Sequence, residues 1–196
     1  MTPHPNHDTV SSAVGLHNVP QAIRALDTFA RPDYADLFTI TTSMATDTSA
    51  EGWARAALEK TPTGRSAPRL WRLLGLRLGP TPSPDYVQGW KVADRGADWI
   101  RVETTSWFMT AHAVVRVGDG QVSLALFLRY DRPIAAVIWA PISILHRRAV
   151  PDLLRQAVNA HVSPDNDRAA PRRATDGKHP RSFASGSWRQ PREETQ

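Results

Sequence analysis

The stretch VPDLLRQAVNAH, residues 150–161, decides how the rest of the chain is read. Val150, Leu153, Leu154, Ala157, Val158 and His161 fall on one face of a helix, at the i, i+3, i+4, i+7, i+8 and i+11 positions. Arg148, Asp152, Arg155, Gln156 and Asn159 face away. Pro151 either opens this helix or kinks one that begins near Pro141. An amphipathic helix needs an apolar surface to lie on, and the residues upstream offer a sheet.

Tyr86–Asp94, Asp98–Phe108, Thr110–Val117 and Val122–Asp131 read as successive strands, with Asp94-Arg95-Gly96 and Gly118-Asp119-Gly120 as turns between them. Ile134–Ala140 is predicted as the last strand, and Tyr34–Ser43, rich in β-formers, as the first. Two short helices are predicted between them. Thr48-Ser49-Ala50-Glu51 matches a capping box for a helix reaching about Lys60, with Trp53, Ala54, Ala57 and Leu58 on one face. Thr61–Gly64 breaks it. A second helix then runs from about Ala67 to Leu78, with Ser66 as cap, Pro68 in the first turn and Gly79-Pro80 as the stop. Helices segregated on one side of an antiparallel sheet make an α+β domain, with a space between the sheet and the closing helix.

The ends read differently. Residues 1–33 form a polar tail whose one helical stretch is Val19–Ala30, where Ala22, Ile23, Leu26, Phe29 and Ala30 recur at helical spacing. Residues 34–162 are the domain. Residues 163–196 mix Pro, Ser, Gly, Arg and acids without periodicity, and disorder is expected there. Phe183 and Trp188 are the large apolar side chains of that tail.

Composition excludes several chemistries. The chain has no cysteine, so disulfides, thiolate catalysis and cysteine-held metals are ruled out. It lacks a glycine-rich phosphate loop, a dinucleotide fingerprint and a serine nucleophile elbow. His4 and His7 stand near one end and resemble no ordered metal site. No cofactor or metal is expected. The apolar run Ile134–Leu145 is too short to span a bilayer and contains Pro141, and the N-terminus has no signal pattern. No membrane insertion and a cytoplasmic location are expected. The net charge of +5 raises the question of nucleic acid, but the arginines occur in the tail, both early helices, the strands and the last helix rather than in a single stripe, so a nucleic-acid partner is disfavoured.

Candidate site residues follow from the strand and helix positions. His112 shares a strand face with Thr110, Val114 and Arg116, opposite the apolar Ala111, Ala113, Val115 and Val117. A neutral imidazole in a cavity is a ready acid or base, so His112 is a catalytic candidate, and Glu103 is the second. The alternative is a structural histidine on the outer face. Glu103 and Arg101 share a face with Trp99, Thr105 and Trp107, where they orient a polar ligand group or form a surface ion pair. If the other face is concave, Val102, Thr104 and Ser106 line it instead. His146 and Arg147, leading the closing helix with Arg148, are candidates for a carboxylate or phosphate at the cavity mouth. Trp53, Trp71, Trp90, Trp107 and Trp139 serve either as core or as stacking platforms, and Trp107 and Trp139 are the ligand-binding candidates.

The element order resembles the helix-grip (SRPBCC) superfamily, which includes START domains, Bet v 1-type plant allergens and polyketide cyclases. Within it, Gly89-Trp90, the stretch Trp107–Val117 with His112 and Arg116, and Trp139-Ala-Pro141 leading to His146-Arg147-Arg148 and Pro151-Asp-Leu-Leu154 resemble the DUF2867-type actinobacterial proteins. The chain departs from that pattern at Val114, where an acidic residue is common, which leaves His112 without a carboxylate two residues on. The spacing from Pro141 to His146 is also longer than usual. The resemblance implies a hydrophobic or aromatic small molecule held between a curved sheet and the C-terminal helix, with cofactor-free cyclase- or isomerase-like chemistry in secondary metabolism. The readings from other classes are a non-catalytic interaction protein with a filled core and, weaker, a basic nucleic-acid-associating protein.

Overall fold

The computed structural model describes residues 9–169, with side chains to residue 161. The tail aromatics Phe183 and Trp188, and His4 and His7, lie outside the described residues. The chain is α+β, built on a seven-stranded antiparallel sheet in the order β1-β2-β7-β6-β5-β4-β3. The strands are β1 Val10–Val14, β2 Tyr34–Thr41, β3 Tyr86–Val87, β4 Trp90–Arg95, β5 Trp99–Thr105, β6 Met109–Gly118 and β7 Gln121–Tyr130. The last five form a meander, and β2 lies beside β7 with β1 outside it.

The hairpins follow from turn chemistry. Asp119 (φ 52) and Gly120 (φ 70) form the two-residue connection of β6 and β7 that the Asp-Gly pair predicts. Gln88 (φ 48) and Gly89 (φ 88) do the same between β3 and β4, so Tyr86–Asp94 is two strands rather than the single predicted one. A register shift between Val92 and Asp94 marks an irregularity in β4.

The helices are α1 Gln21–Arg24, α2 Ala50–Arg55, α3 Pro62–Leu73 and α4 Ile134–Ala169. Ser49, not Thr48, caps α2, accepting from the Gly52 amide. The helix continues through a π-helical turn, Ala56–Lys60. The predicted break is confined to Thr61. Its hydroxyl accepts from the Gly64 amide and caps α3, whose first turn holds Pro62. Helix α3 therefore starts five residues before the predicted Ala67 and carries Pro68 inside it. Its stop is Gly75, at φ 68, rather than Gly79.

Two larger corrections concern the ends of the domain. Ile134–Ala140 is not a strand but the first turns of α4, which runs unbroken through Pro141 and Pro151. Ala135 and Trp139, four residues apart, are buried, while Ile134, Val137, Ile144 and Leu145 are exposed. The run is apolar on every side, so strand and helix templates fit it equally until tertiary packing chooses. Helix α4 also continues past residue 163. At the other end, β1 pairs with β2 where no order was expected, and α1 is one turn long.

Both faces of the sheet are covered, which explains why β7 reads as an apolar run. One face carries α2, α3 and α4, over Phe38, Ile40, Val102, Val115, Leu124 and Leu126, with Trp53 buried among them. The other is crossed by the segment from Leu16 to Phe29, whose Val19 and Ile23 pack on Ala35, Leu37, Val114, Ala125 and Phe127.

Candidate functional site

On the helical side the packing is incomplete. A cavity of about 370 Å³ lies between the sheet, α3 and α4. Its floor includes Val102, Ala111, Ala113, Val115 and Leu126, and its walls include Leu70 and Trp71 of α3 and Leu145, His146, Val150 and Leu153 of α4. The space follows from side-chain size: β6 presents two alanines in succession, Ala111 and Ala113, where larger residues would reach the helices. Small-molecule sites commonly measure roughly 300–1,000 Å³ and are mostly apolar with a few placed polar groups.

Polar groups at this cavity are few. The indole nitrogens of Trp90 and Trp139, which both line it, are buried and have no hydrogen-bond partner among the described residues. A buried donor left so costs about 1–3 kcal/mol. The lining also holds the Thr63 and Ser66 hydroxyls and the Trp71 indole, and its ionisable side chain among the described residues is that of His146. Its Nε2 lies 3.1 Å from Asp36 Oδ2, and the Asp36 carboxylate is fully buried. The Tyr34 hydroxyl donates to the same oxygen at 2.6 Å. A carboxylate only accepts, so Nε2 carries a proton, and in the neutral imidazole Nδ1 is then the nitrogen with the lone pair. Among the described residues no hydrogen bond reaches Nδ1. The imidazole is held edgewise against Phe38 (5.9 Å between ring centroids) and tilted against Trp139 (5.6 Å).

Burial raises the Tyr34 pKa well above the ordinary phenol range, and the adjacent Asp36 carboxylate adds to this, while Arg147 opposes it. The phenol thus stays protonated and remains a donor to Asp36. Strand β2 makes this arrangement possible, because Tyr34, Asp36, Phe38 and Ile40 alternate onto the helical side. Sequence reasoning missed Asp36. The available signal was a carboxylate on an otherwise apolar strand face.

The structure divides the sequence-derived candidates between places. Trp139 and His146 line the cavity. Arg147 is close enough to Tyr34 for its charge to oppose the rise of the phenol pKa. Trp107 sits in the turn between β5 and β6, 59% exposed, with the Arg132 guanidinium 5.8 Å from its ring centre, and does not line the cavity. Arg101, Glu103 and His112 lie on the opposite face of the sheet, so the cavity side is that of Val102 and Thr104.

There His112 is buried and has a carboxylate after all, from outside its strand: Nδ1 donates to Asp27 Oδ1 at 2.6 Å. Its ring stacks on Phe29 at 3.8 Å and 12°. Glu103 Oε2 is 3.8 Å from Nε2. Arg101 Nη1 donates to the Leu26 carbonyl at 3.0 Å. These contacts tie the Leu16–Phe29 segment to the sheet.

Among the described residues no group of three or more His, Cys, Asp or Glu is placed to hold a metal ion. No helix among them is long and apolar enough to cross a membrane. No protein-family model, curated protein or solved structure matches the chain.

Proposed function

We propose that this chain is a helix-grip protein of the DUF2867 type that binds a hydrophobic or aromatic small molecule between the sheet and α4. The observation that carries this reading is the cavity itself: about 370 Å³, walled by aliphatic and aromatic side chains. Burial of an apolar ligand there stabilises the complex by roughly 25 cal/mol per Å² removed from water. The site residues of this reading are Trp90, Trp139 and His146, supported by Asp36 and Tyr34, and not the His112–Glu103 pair.

Native mass spectrometry of protein purified from its own host, looking for a co-purified small molecule, tests the reading. So does titration with naphthalene, followed by quenching of tryptophan fluorescence. Saturable quenching that disappears when the cavity is filled supports it. If neither a co-purified molecule nor naphthalene binding is found, the reading fails.

A further inference from the structure

We infer that the cavity acts on an enolisable carbonyl compound, with His146 as the general base that removes the proton next to the carbonyl. This deepens the proposed small-molecule reading and rests on it.

Three observations converge. The first is the state of the imidazole. The imidazole Nε2–H donates to Asp36 Oδ1 at 3.4 Å, with Oδ2 3.1 Å away, and Tyr34 donates to Oδ2 at 2.6 Å. That fixes the tautomer and leaves Nδ1 as the acceptor of a proton. A fully buried carboxylate beside Nε2 then stabilises the imidazolium that forms. The second is the pair of indole N–H groups, Trp90 and Trp139, buried at the same cavity without partners among the described residues. A hydrocarbon ligand would leave both unpaired. A carbonyl oxygen takes a hydrogen bond from such a donor, and an enolate oxygen takes a stronger one. The third is the lack of an alternative reaction centre. The chain has no cysteine, and the two hydroxyls of the lining, Thr63 and Ser66, have no hydrogen-bonded base among the described residues, Ser66 donating to the Thr63 carbonyl. Proton transfer thus fits this lining better than covalent catalysis.

The step balances without an oxidant, a reductant or a second substrate. The C–H bond α to the carbonyl breaks and its proton goes to Nδ1. The electron pair forms the C=C bond of the enolate as the carbonyl π pair moves to oxygen, where an indole N–H meets it. The proton then returns from Nδ1 to the same carbon, which is exchange, or to a conjugated one, which is isomerisation.

The test uses 2-tetralone, an aromatic ketone with exchangeable α-protons, beside naphthalene, which has the same ring frame and no oxygen. Binding is read by tryptophan fluorescence, and α-proton exchange into D2O by NMR. The expected result is that both bind, that 2-tetralone binds more tightly, and that its exchange runs faster than in buffer. H146Q should keep binding and lose the catalysed exchange, by about 10²–10⁴-fold. Glu103→Gln, on the far face, should match the wild type.

Asp36→Asn tests the positioning role. The exchange rate should fall, and the ¹⁵N shifts of the His146 ring should show that the Nε2–H form is no longer held. If neither probe binds, the binding reading itself fails. If 2-tetralone binds without exchange, exchanges equally in H146Q, or binds less well than naphthalene, the inference is overturned and binding alone stands. An unchanged tautomer and rate in Asp36→Asn also overturn it.

Discussion

Replacing His112 with alanine should unfasten the N-terminal segment from the back of the sheet and leave the cavity as it is. The Asp27 side chain is only 3% exposed, and its one described partner is the His112 ring, 2.6 Å away. Alanine therefore strands a buried carboxylate, a change that typically costs about 3–5 kcal/mol. The stacked face of Phe29 is uncovered as well. In a chain of this size, 1 kcal/mol moves the melting temperature by about 2–4 °C, so the fall should be roughly 6–20 °C. Differential scanning fluorimetry and urea unfolding measure it directly. A double-mutant cycle with Asp27→Asn should show strong coupling, because the double variant no longer strands a charge. Naphthalene affinity, measured below the transition, should stay the same. A loss of under about 2 °C, or a changed affinity with an intact fold, would refute the assignment of His112 to the back face's packing.

Other substitutions probe the helical side. Ala113→Leu adds three carbons to the cavity floor. It should abolish naphthalene quenching while leaving stability equal or higher, by up to about 2 kcal/mol at roughly 0.8 kcal/mol per buried methylene. Gly64→Ala should destabilise by about 1–3 kcal/mol in urea unfolding, because the new Cβ would run into the backbone carbonyls of Ala57 and Leu58. Alkaline titration reports on the phenols. Tyr34 and Tyr130 are both raised above the ordinary 10.0, chiefly by burial. Their contribution to stability is complete below that value and declines as pH rises above it, since the unfolded chain ionises first. Absorbance at 295 nm should show two tyrosines titrating late, and in Tyr34→Phe only one.

The fold was legible where one template fitted and another did not. The stripe from Val150 to His161 admits only a helix, and Asp119-Gly120 only a tight hairpin. The segment Ile134–Ala140 gives no such choice, because seven consecutive apolar or small residues satisfy both periods. Strand β1, with two serines in five residues, carries too weak a pattern to be read without its pairing to β2.

The site divides along the same line. His146 and Trp139 could be chosen by their place on or near the closing helix. Asp36 could not, since His146 lies 110 positions away along the chain. Nor could the carboxylate of His112, which comes from Asp27 on a segment read as a tail. Pairings of this kind are made by topology and leave no local trace. The choice between the two sheet faces likewise waited on which one the helices cover.

Helix α4 holds one further consequence. Proline brings no N–H to the carbonyl four residues back, so Pro141 and Pro151 offer no helical donor to Val137 and Arg147. His146 sits midway between these two interruptions. The turn that carries it is thus a short rod with a soft joint at either end. It can tilt against the sheet without breaking the hydrogen-bond ladders on its flanks, while the buried carboxylate of Asp36 draws the imidazole back to one position. On the proposed binding reading, a molecule too large to pass between α3 and α4 at rest would enter by bending α4 at these prolines rather than by unwinding it. Slowed amide exchange across residues 142–150 on ligand binding would register that stiffening.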